Sequence, residues 1–184
     1  SLSQYADVLG GKRLPSGHSY ADNPTGYRYL RVTDFYERVV DYAALEHLPP
    51  ETFRALEKWE IHEGDVFLSI AGSIGFAGAF RPPTDHRTVL TENAARIIPT
   101  SQFVPEFLAL YMNGERVQSQ IAAQKGTGGG VPKLALFRIR NLEVACPPLE
   151  EQKRIAGVMS AQGTHIRAEE ATLEWVAVVS DVTR

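Results

Sequence analysis

Hydrophobic and polar positions alternate along several short segments of the chain, which predicts β-strands. Tyr27–Val32 alternates over six residues. Two apolar runs, 66–70 and 76–80, flank the glycine-bounded connection Ala71–Gly75. A short turn between two such runs is typical of an antiparallel hairpin. Further strands are predicted over residues 2–8, 94–98 and 142–145.

Helical spacing marks segments between and after these strands. Phe107, Leu108 and Tyr111 recur at helical intervals within 105–113. Short strands mixed with helices, without a repeating strand–helix–strand order, predict an α+β fold. We expect its strands to be largely antiparallel and its helices peripheral. The other helices are predicted over residues 50–58 and 116–124.

The organisation of the chain changes at Pro147 and Pro148. Both prolines restrict the backbone, and Pro148 suits the first position of a helix, where its missing N–H is not needed. Glu150 and Glu151 then place negative charge at the positive end of the helix dipole. The sequence therefore predicts a compact domain over residues 1–146 and a long C-terminal helix over 147–184.

Apolar side chains recur at steps of three or four residues along the C-terminal helix, although Gln162 and Glu169 occupy two positions of the same seam. This imperfect heptad pattern is compatible with antiparallel pairing to another helix. The alternative is that the helix packs on its own domain. The predicted partner-helix seam comprises Leu149, Ile155, Met159, Ile166 and Leu173.

Composition is that of an ordinary globular protein, with 184 residues and 43% hydrophobic side chains. The apolar runs are far shorter than the roughly 20 residues that cross a bilayer. The first residues do not resemble a signal peptide. Cys146 is the only cysteine, so an internal disulfide and a cysteine-rich zinc site are excluded. These features predict a cytoplasmic protein.

No catalytic constellation is present in the sequence. The five histidines are scattered, and the glycines of Ala71–Gly75 and 126–130 lack the spacing of nucleotide-binding loops. We therefore predict no metal, no cofactor and no enzymatic activity. One alternative stays open, because Glu151 and Lys153 match the Glu-x-Lys half of a nuclease site. Metal-dependent cleavage of plasmid DNA would support that alternative.

Charge is distributed unevenly along the chain. The formal net charge of −3 argues mildly against a nucleic-acid-binding protein. However, residues 66–142 hold eight basic and four acidic side chains, whereas residues 41–65 hold two basic and seven acidic ones. The positive charge therefore lies in the body of the predicted domain, and the acidic excess lies in one insert and in the C-terminal helix.

Several loop residues have the chemistry of DNA contacts. Lysines on loops are suited to phosphates, and we assign Lys12, Lys125 and Lys133 to that role. Arg13 and Thr127 are assigned to base reading, since side-chain donors discriminate bases in the major groove. The competing interpretation is that these side chains are merely solvated. The full set of predicted DNA contacts is Lys12, Arg13, Arg31, Ser73, Asn93, Lys125, Thr127 and Lys133.

Five segments carry a resemblance to a known family. Their order and spacing together resemble the DNA-specificity subunits of type I restriction–modification systems over nearly the whole chain. In sequence order they are Gly10-Gly11-Lys12-Arg13-Leu14-Pro15, Tyr29-Leu30-Arg31-Val32-Thr33-Asp34-Phe35, Gly64-Asp65-Val66-Phe67-Leu68-Ser69-Ile70-Ala71-Gly72-Ser73-Ile74-Gly75, Leu90-Thr91-Glu92-Asn93-Ala94-Ala95 and Pro147-Pro148-Leu149-Glu150-Glu151-Gln152-Lys153-Arg154-Ile155-Ala156.

The resemblance implies a set of partners. Subunits of this family usually carry two target-recognition domains, each followed by a long helix. The two helices pair antiparallel, and each domain reads one half of a split DNA sequence. Methylation subunits bind the helices and supply the S-adenosylmethionine chemistry, and a motor-nuclease subunit can join. Similar domains also occur fused to methyltransferase–nuclease chains, so the parent system has two candidates.

This chain resembles one recognition domain with one helix. It is expected to be a fragment, which the short helix favours, or a half-sized subunit that forms a homodimer. Its expected function is sequence-specific recognition of one half-site in double-stranded DNA, conferring target specificity without catalysis. The alternative is a protein–protein interaction module that acts through the C-terminal helix without reading DNA. The acidic net charge favours this alternative slightly.

Overall fold

The computed structural model describes residues 1–36, 39–83, 86–124 and 132–160. The chain divides into two compact units, Ser1–Cys146 and Pro147–Arg184. Four residues of the predicted contact sets lie outside the described residues, namely Lys125, Thr127, Ile166 and Leu173.

The described strands of the first unit are short, and short helices separate them. The strands are β1 (Ala6–Gly10), β2 (Tyr27–Leu30), β3 (Phe35–Tyr36), β4 (Val39–Val40), β5 (Glu46–His47), β6 (Glu60–Ile61), β7 (Val66–Ser69), β8 (Ala77–Ala79), β9 (Arg87–Leu90) and β10 (Ala94–Pro99). The helices are α1 (Pro50–Leu56), α2 (Pro105–Met112), α3 (Glu115–Ala123) and α4 (Leu136–Arg140). Single 3-10 turns occupy Leu2–Gln4, Val32–Asp34 and Glu57–Trp59.

Two four-stranded sheets form the framework. The first has the order β1-β10-β7-β8 and is antiparallel throughout. The second has the order β5-β2-β9-β6, in which β2 and β9 are parallel and the other pairs are antiparallel. A separate two-stranded ladder joins β3 to β4. Both larger sheets therefore depend on pairing between segments far apart in sequence.

The core lies where the two large sheets contribute side chains to one apolar cluster. Leu30 and Leu90 from the second sheet are fully buried beside Phe67 from the first. The Phe67 ring stacks on Phe35 with centroids 4.2 Å apart. Each large apolar side chain buried in this way stabilises the fold by about 1.5–3 kcal/mol. A second cluster lies under α1 and includes Tyr29, Leu48, Phe53, Leu56 and Val89.

The α+β fold class is confirmed. The predicted hairpin is also confirmed, because Val66 pairs with Ala79 and Leu68 with Ala77 in an antiparallel register. The predicted strand over 2–8 is only partly correct, since its first residues form a 3-10 turn. No helix in the described parts of the chain is long and apolar enough to cross a membrane.

The predicted strand over 142–145 is wrong, because these residues form no regular structure. Leu142 instead closes α4, since its N–H donates to the Ile139 carbonyl at 3.1 Å. Its own carbonyl accepts a hydrogen bond from the Leu2 N–H at 2.8 Å. The burial of Leu142 thus results from packing at the end of a helix rather than from strand alternation.

Candidate nucleic-acid interface

The loop that follows β1 is pressed against the backbone that follows β9. The Gly11 N–H donates to the Ala94 carbonyl at 3.1 Å, and the Lys12 N–H donates to the Leu90 carbonyl at 2.9 Å. A Cβ atom on Gly11 would lie only 2.0 Å from the Thr91 carbonyl oxygen. Only glycine permits this approach, which fixes the backbone of the loop that carries the predicted contacts.

The three residues between β9 and β10 form a turn that is anchored on both sides. The Thr91 N–H donates to the Leu30 carbonyl of β2 at 3.0 Å. The Asn93 carbonyl accepts hydrogen bonds from the N–H groups of Ile70 at 2.8 Å and Ala71 at 3.3 Å. We call residues 91–93 the Glu92 turn. Its position is set by the backbone of both sheets.

Glu92 is the centre of a polar cluster with Arg13, Thr91 and Lys133, which we call the Glu92 cluster. Its Oε1 accepts a hydrogen bond from Arg13 Nε at 2.8 Å, and its Oε2 accepts one from the Thr91 hydroxyl at 2.9 Å. Lys133 Nζ donates to the Glu92 carbonyl oxygen at 3.1 Å. Burial would raise the pKa of Glu92, but the hydrogen bonds from Arg13 and Thr91 outweigh it, so the pKa is lowered. The same contact raises the pKa of Arg13.

A second turn brings Ser73 and Lys133 to the same cluster. Gly72 adopts a φ of +70°, a left-handed conformation that favours glycine. The buried Ser69 hydroxyl donates to the Ser73 carbonyl and accepts from the Phe76 N–H at 2.9 Å, which closes the turn. An isolated antiparallel bridge pairs Ala71 with Lys133. Ser73 is therefore exposed on a turn that is joined to Lys133 through the backbone.

Lys12 is exposed but ordered by its surroundings. Its carbonyl accepts a hydrogen bond from the Tyr29 hydroxyl at 2.7 Å. Burial raises the pKa of Tyr29 to about 12, so the hydroxyl remains a donor at neutral pH. Lys12 Nζ lies 5.2 Å from the centroid of the Trp59 ring, a cation–π contact. The ammonium is thus held near the loop surface without a carboxylate partner among the described residues.

Arg31 is placed differently from the other predicted contacts. Its guanidinium forms ion pairs with Asp34 at 2.8 Å and with Glu46 at 2.6 Å. The hydrogen bonds that Arg31 donates to the Asp34 carboxylate are the main reason that the pKa of Arg31 is raised. Arg31 shares no hydrogen bond or ion pair with the Glu92 cluster within the described parts of the chain. Its assignment as a DNA contact stays a prediction, and two carboxylates would compete with DNA for its donors.

The acidic insert is largely neutralised by arginines of the domain body. Four carboxylates of this insert, residues 41–65, form ion pairs with arginines outside it. At longer range the opposite charges of each pair largely cancel. The net charge of the chain is therefore a poor guide to the field at the Glu92 cluster. The four pairs are Glu46–Arg31 at 2.6 Å, Glu60–Arg87 at 2.6 Å, Glu63–Arg81 at 3.3 Å and Asp65–Arg96 at 2.5 Å.

The comparison with protein families decides the classification. The family model described as "Type I restriction modification DNA specificity domain" matches residues 2–176. This chain belongs to that family. The loops that hold the Glu92 cluster all belong to the first unit of this specificity domain. No curated protein sequence matches the chain.

Solved structures show that the fold of this specificity domain is shared. A chain from a structure on complex assembly and conformational transition of the type I R-M system matches with a TM-score of 0.66 at 18% identity. The HsdS subunit from Thermoanaerobacter tengcongensis matches at 0.63 and 18% identity, and the S subunit from M. genitalium at 0.62 and 13%. Each match covers 91% of this chain but only 38%, 37% and 39% of those chains, respectively.

The described part of the second unit is helical from residue 149 to residue 160. The Pro148 carbonyl accepts hydrogen bonds from the N–H groups of Glu151 at 2.9 Å and Gln152 at 3.1 Å, so the helix begins where the two prolines predict. Two residues of the predicted seam, Leu149 and Met159, are 40% and 43% exposed. The third described residue, Ile155, is half-buried.

The nuclease alternative gains no geometric support from the residues that the structure describes. Lys153 Nζ forms an ion pair with Glu150 at 2.8 Å, one turn away on the same helix. No group of three or more His, Cys, Asp or Glu side chains is arranged to hold a metal ion in the described residues. Glu151 and Lys153 therefore resemble an ordinary charged helix surface.

The structure brings together five of the predicted contacts from four segments of the chain. Sequence reasoning missed the residue that joins them, since Glu92 was not among the predicted contacts. No local signal identified Glu92, because its contact with Arg13 joins residues 79 positions apart in the chain. The grouped residues are Lys12, Arg13, Ser73, Asn93 and Lys133.

Proposed function

We propose that this specificity domain reads one half of a split duplex DNA sequence and confers target specificity on a type I restriction–modification complex without catalysing a reaction itself. The convergence of predicted contact residues on the Glu92 turn is the observation that carries the proposal. Family membership supports it independently. A rigid framework that presents polar loops is the usual arrangement for recognition, because loop residues vary while the sheets hold them in place.

The cations and the hydrogen-bonding groups have separate roles in this proposal. Lys12 and Lys133 contact phosphates, since both are exposed and neither has a carboxylate partner among the described residues. Lys125 belongs with them, and Thr127 with the base-reading residues. Ser73 and Asn93 supply further hydrogen bonds near the base edges. Phosphate contacts set the position of the domain on the duplex, and base contacts give the discrimination.

Selection from a random duplex library tests the proposal. The chain is held with its presumed methylation subunits, because a half-site reader gains affinity from the whole assembly. Enrichment of a short asymmetric motif is the expected result. No enrichment from a complex shown to be intact would contradict DNA reading. It would favour the alternative in which the C-terminal helix carries a protein-binding function alone.

Removing a phosphate contact is expected to weaken binding to every sequence equally. Lys133→Ala should lower affinity for selected and random duplexes by the same factor and reduce the salt slope by about 1. Affinity measured over a series of salt concentrations checks this. Lys153→Ala is the matched control, since it removes the same charge from the second unit. An unchanged slope in Lys133→Ala would remove Lys133 from the set of phosphate contacts.

The C-terminal helix is proposed to bind partner helices, which belong either to methylation subunits or to a second recognition domain. That second domain would lie in the same longer subunit or in the other copy of a homodimer. A motor-nuclease subunit is a further proposed member of the complex. The exposed apolar side chains of Leu149 and Met159 support this assignment. With Ile155, Ile166 and Leu173 they would form one seam. Ile155, Met159, Ile166 and Leu173 follow the heptad spacing, and Leu149 adds apolar surface at the start of the helix.

A charge introduced into the seam is expected to prevent assembly. Met159→Asp should weaken association with the partner helices at least about tenfold, because the carboxylate would be desolvated in an apolar interface. Arg154→Asp is the matched control, since it introduces the same side chain at an exposed position off the seam. Size-exclusion chromatography with light scattering measures the assembly. If Met159→Asp and Arg154→Asp associated equally well with the partner helices, the predicted seam would be refuted.

A further inference from the structure

We infer that Arg13 reads a guanine through its two terminal amino groups and that Glu92 is the positioning residue that holds the guanidinium for this contact. The inference rests on the proposed function and deepens it, because it assigns a base to one side chain. It follows from which donors of Arg13 are already engaged in the free protein.

Glu92 uses only one of the donor groups of Arg13. The contact is made by Nε, at 2.8 Å from Glu92 Oε1. Nη1 and Nη2 make no hydrogen bond to any described residue, and the Arg13 side chain is 78% exposed. A guanidinium carries five N–H donors in a planar fork. The four N–H donors of Nη1 and Nη2 are therefore left for a ligand, while Nε is held by Glu92.

The group that holds Arg13 is itself held. The second carboxylate oxygen of Glu92 accepts the Thr91 hydroxyl at 2.9 Å, and the Glu92 side chain is only 21% exposed. The backbone of the turn is bonded to Leu30 of β2 through Thr91. Lys133 donates to the Glu92 carbonyl oxygen at 3.1 Å. Arg13 therefore approaches DNA with much of its conformational freedom already removed, which reduces the entropy cost of binding.

The partner chemistry favours a base edge over a phosphate. Glu92 offsets much of the positive charge of Arg13, and its own carboxylate would be repelled by a phosphate lying close to it. A base edge is neutral, so hydrogen-bond geometry decides the contact. This argument separates Arg13 from Lys12 and Lys133, which carry no carboxylate partner among the described residues and are suited to phosphates.

Guanine fits a fork of donors better than the other bases do. In the major groove it presents two adjacent acceptors, N7 and O6, whereas adenine pairs one acceptor with a donor. Cytosine presents a donor and thymine a single acceptor beside a methyl group. An arginine that has only donors to offer therefore discriminates in favour of guanine.

The first test replaces guanine in the selected target, using the intact complex. Guanine→adenine at one position should weaken binding by the wild-type protein about 5- to 150-fold, the range expected for a lost bidentate contact. Substituting 7-deazaguanine at the same position removes only N7 and should also weaken binding. Arg13→Ala should bind the guanine, adenine and 7-deazaguanine duplexes equally at that position and discriminate normally elsewhere.

The second test addresses Glu92. Glu92→Gln preserves the shape of the side chain but not its charge, so it should reduce discrimination at the Arg13 position while the melting temperature stays close to wild type. Glu92→Asp should restore part of the discrimination. In an Arg13→Ala background, Glu92→Gln should have no further effect on that position. Glu115→Gln, an exposed substitution on α3, is the matched control.

The outcomes separate this inference from the proposed function. If no motif is selected, the proposed function fails. If a motif is selected but Arg13→Ala keeps full discrimination at every guanine, only the assignment of Arg13 is overturned. If Glu92→Gln changes the preference at a cytosine and leaves the guanine positions unaltered, Glu92 reads a base itself and the positioning role is overturned.

Discussion

Gly11→Ala is expected to destabilise the first unit by about 3 kcal/mol, at the upper end of the usual cost of overpacking. The added Cβ would lie 2.0 Å from the Thr91 carbonyl oxygen and 2.4 Å from the Leu90 carbonyl oxygen. Both obstacles are backbone atoms, so no change of side-chain rotamer relieves the collision. The loop must move away, which breaks the hydrogen bond from the Lys12 N–H to the Leu90 carbonyl.

Urea unfolding followed by circular dichroism measures this effect. Gly26→Ala is the matched control, because a Cβ atom there meets nothing within 4 Å. The control is expected to be neutral or to stabilise the protein by about 0.4–1 kcal/mol through the unfolded chain. The loop displacement in Gly11→Ala should also reduce discrimination at the guanine assigned to Arg13, since Arg13 would leave Glu92. A free energy of unfolding equal to that of Gly26→Ala would contradict the close approach.

The elements that could be predicted from the sequence are those whose signal is local. The hairpin of β7 and β8 was predictable because two apolar runs flank a turn that contains Gly72 and Gly75, both with positive φ. Helices α2 and α3 were predictable because each spans two or more turns and has an apolar face. In these segments the pattern alone determines the element, since few other conformations bury the same side chains.

The elements that were missed depend on distant partners. Strands β5 and β6 have two residues each, which is too short for any periodicity. The parallel register of β2 and β9 pairs Tyr27 with Arg87, and no turn between them specifies it. Residues 142–145 have an apolar pattern, but the Leu142 N–H bonds back to the Ile139 carbonyl of α4, so the burial of Leu142 belongs to the end of a helix.

The residues of the candidate interface also fall into two groups, those with a local signal in the sequence and those that depend on distant contacts. Lys12 and Arg13 were recognisable because cations on a glycine-rich loop are suited to phosphates and bases. The role of Glu92 arises from contact with a residue 79 positions away, which one sequence does not reveal. The negative charge of the acidic insert was a misleading signal for the same reason, because four of its carboxylates pair with arginines from four other places in the chain.

Asp65→Ala is expected to cost about 3–5 kcal/mol of stability, because it would leave a largely buried arginine without its counterion. Asp65 Oδ2 lies 2.5 Å from Arg96 Nε, with the two side chains 6% and 14% exposed. The same oxygen accepts the His62 N–H at 2.7 Å. This pair joins the residue before β7 to β10. Because β10 begins at the Glu92 turn and the residues after β7 bond to the Asn93 carbonyl, its loss should also loosen the candidate interface.

Chemical unfolding of three variants isolates this contribution. Glu63→Ala, two residues away, removes a carboxylate that is 70% exposed and lies 3.3 Å from Arg81. An exposed pair of this kind contributes about 0–1 kcal/mol, so this control should unfold almost as the wild type does. Asp65→Ala combined with Arg96→Met should recover much of the lost stability, since no buried charge then remains unpaired. If Asp65→Ala cost no more than Glu63→Ala, the ion pair would not hold these two strands together.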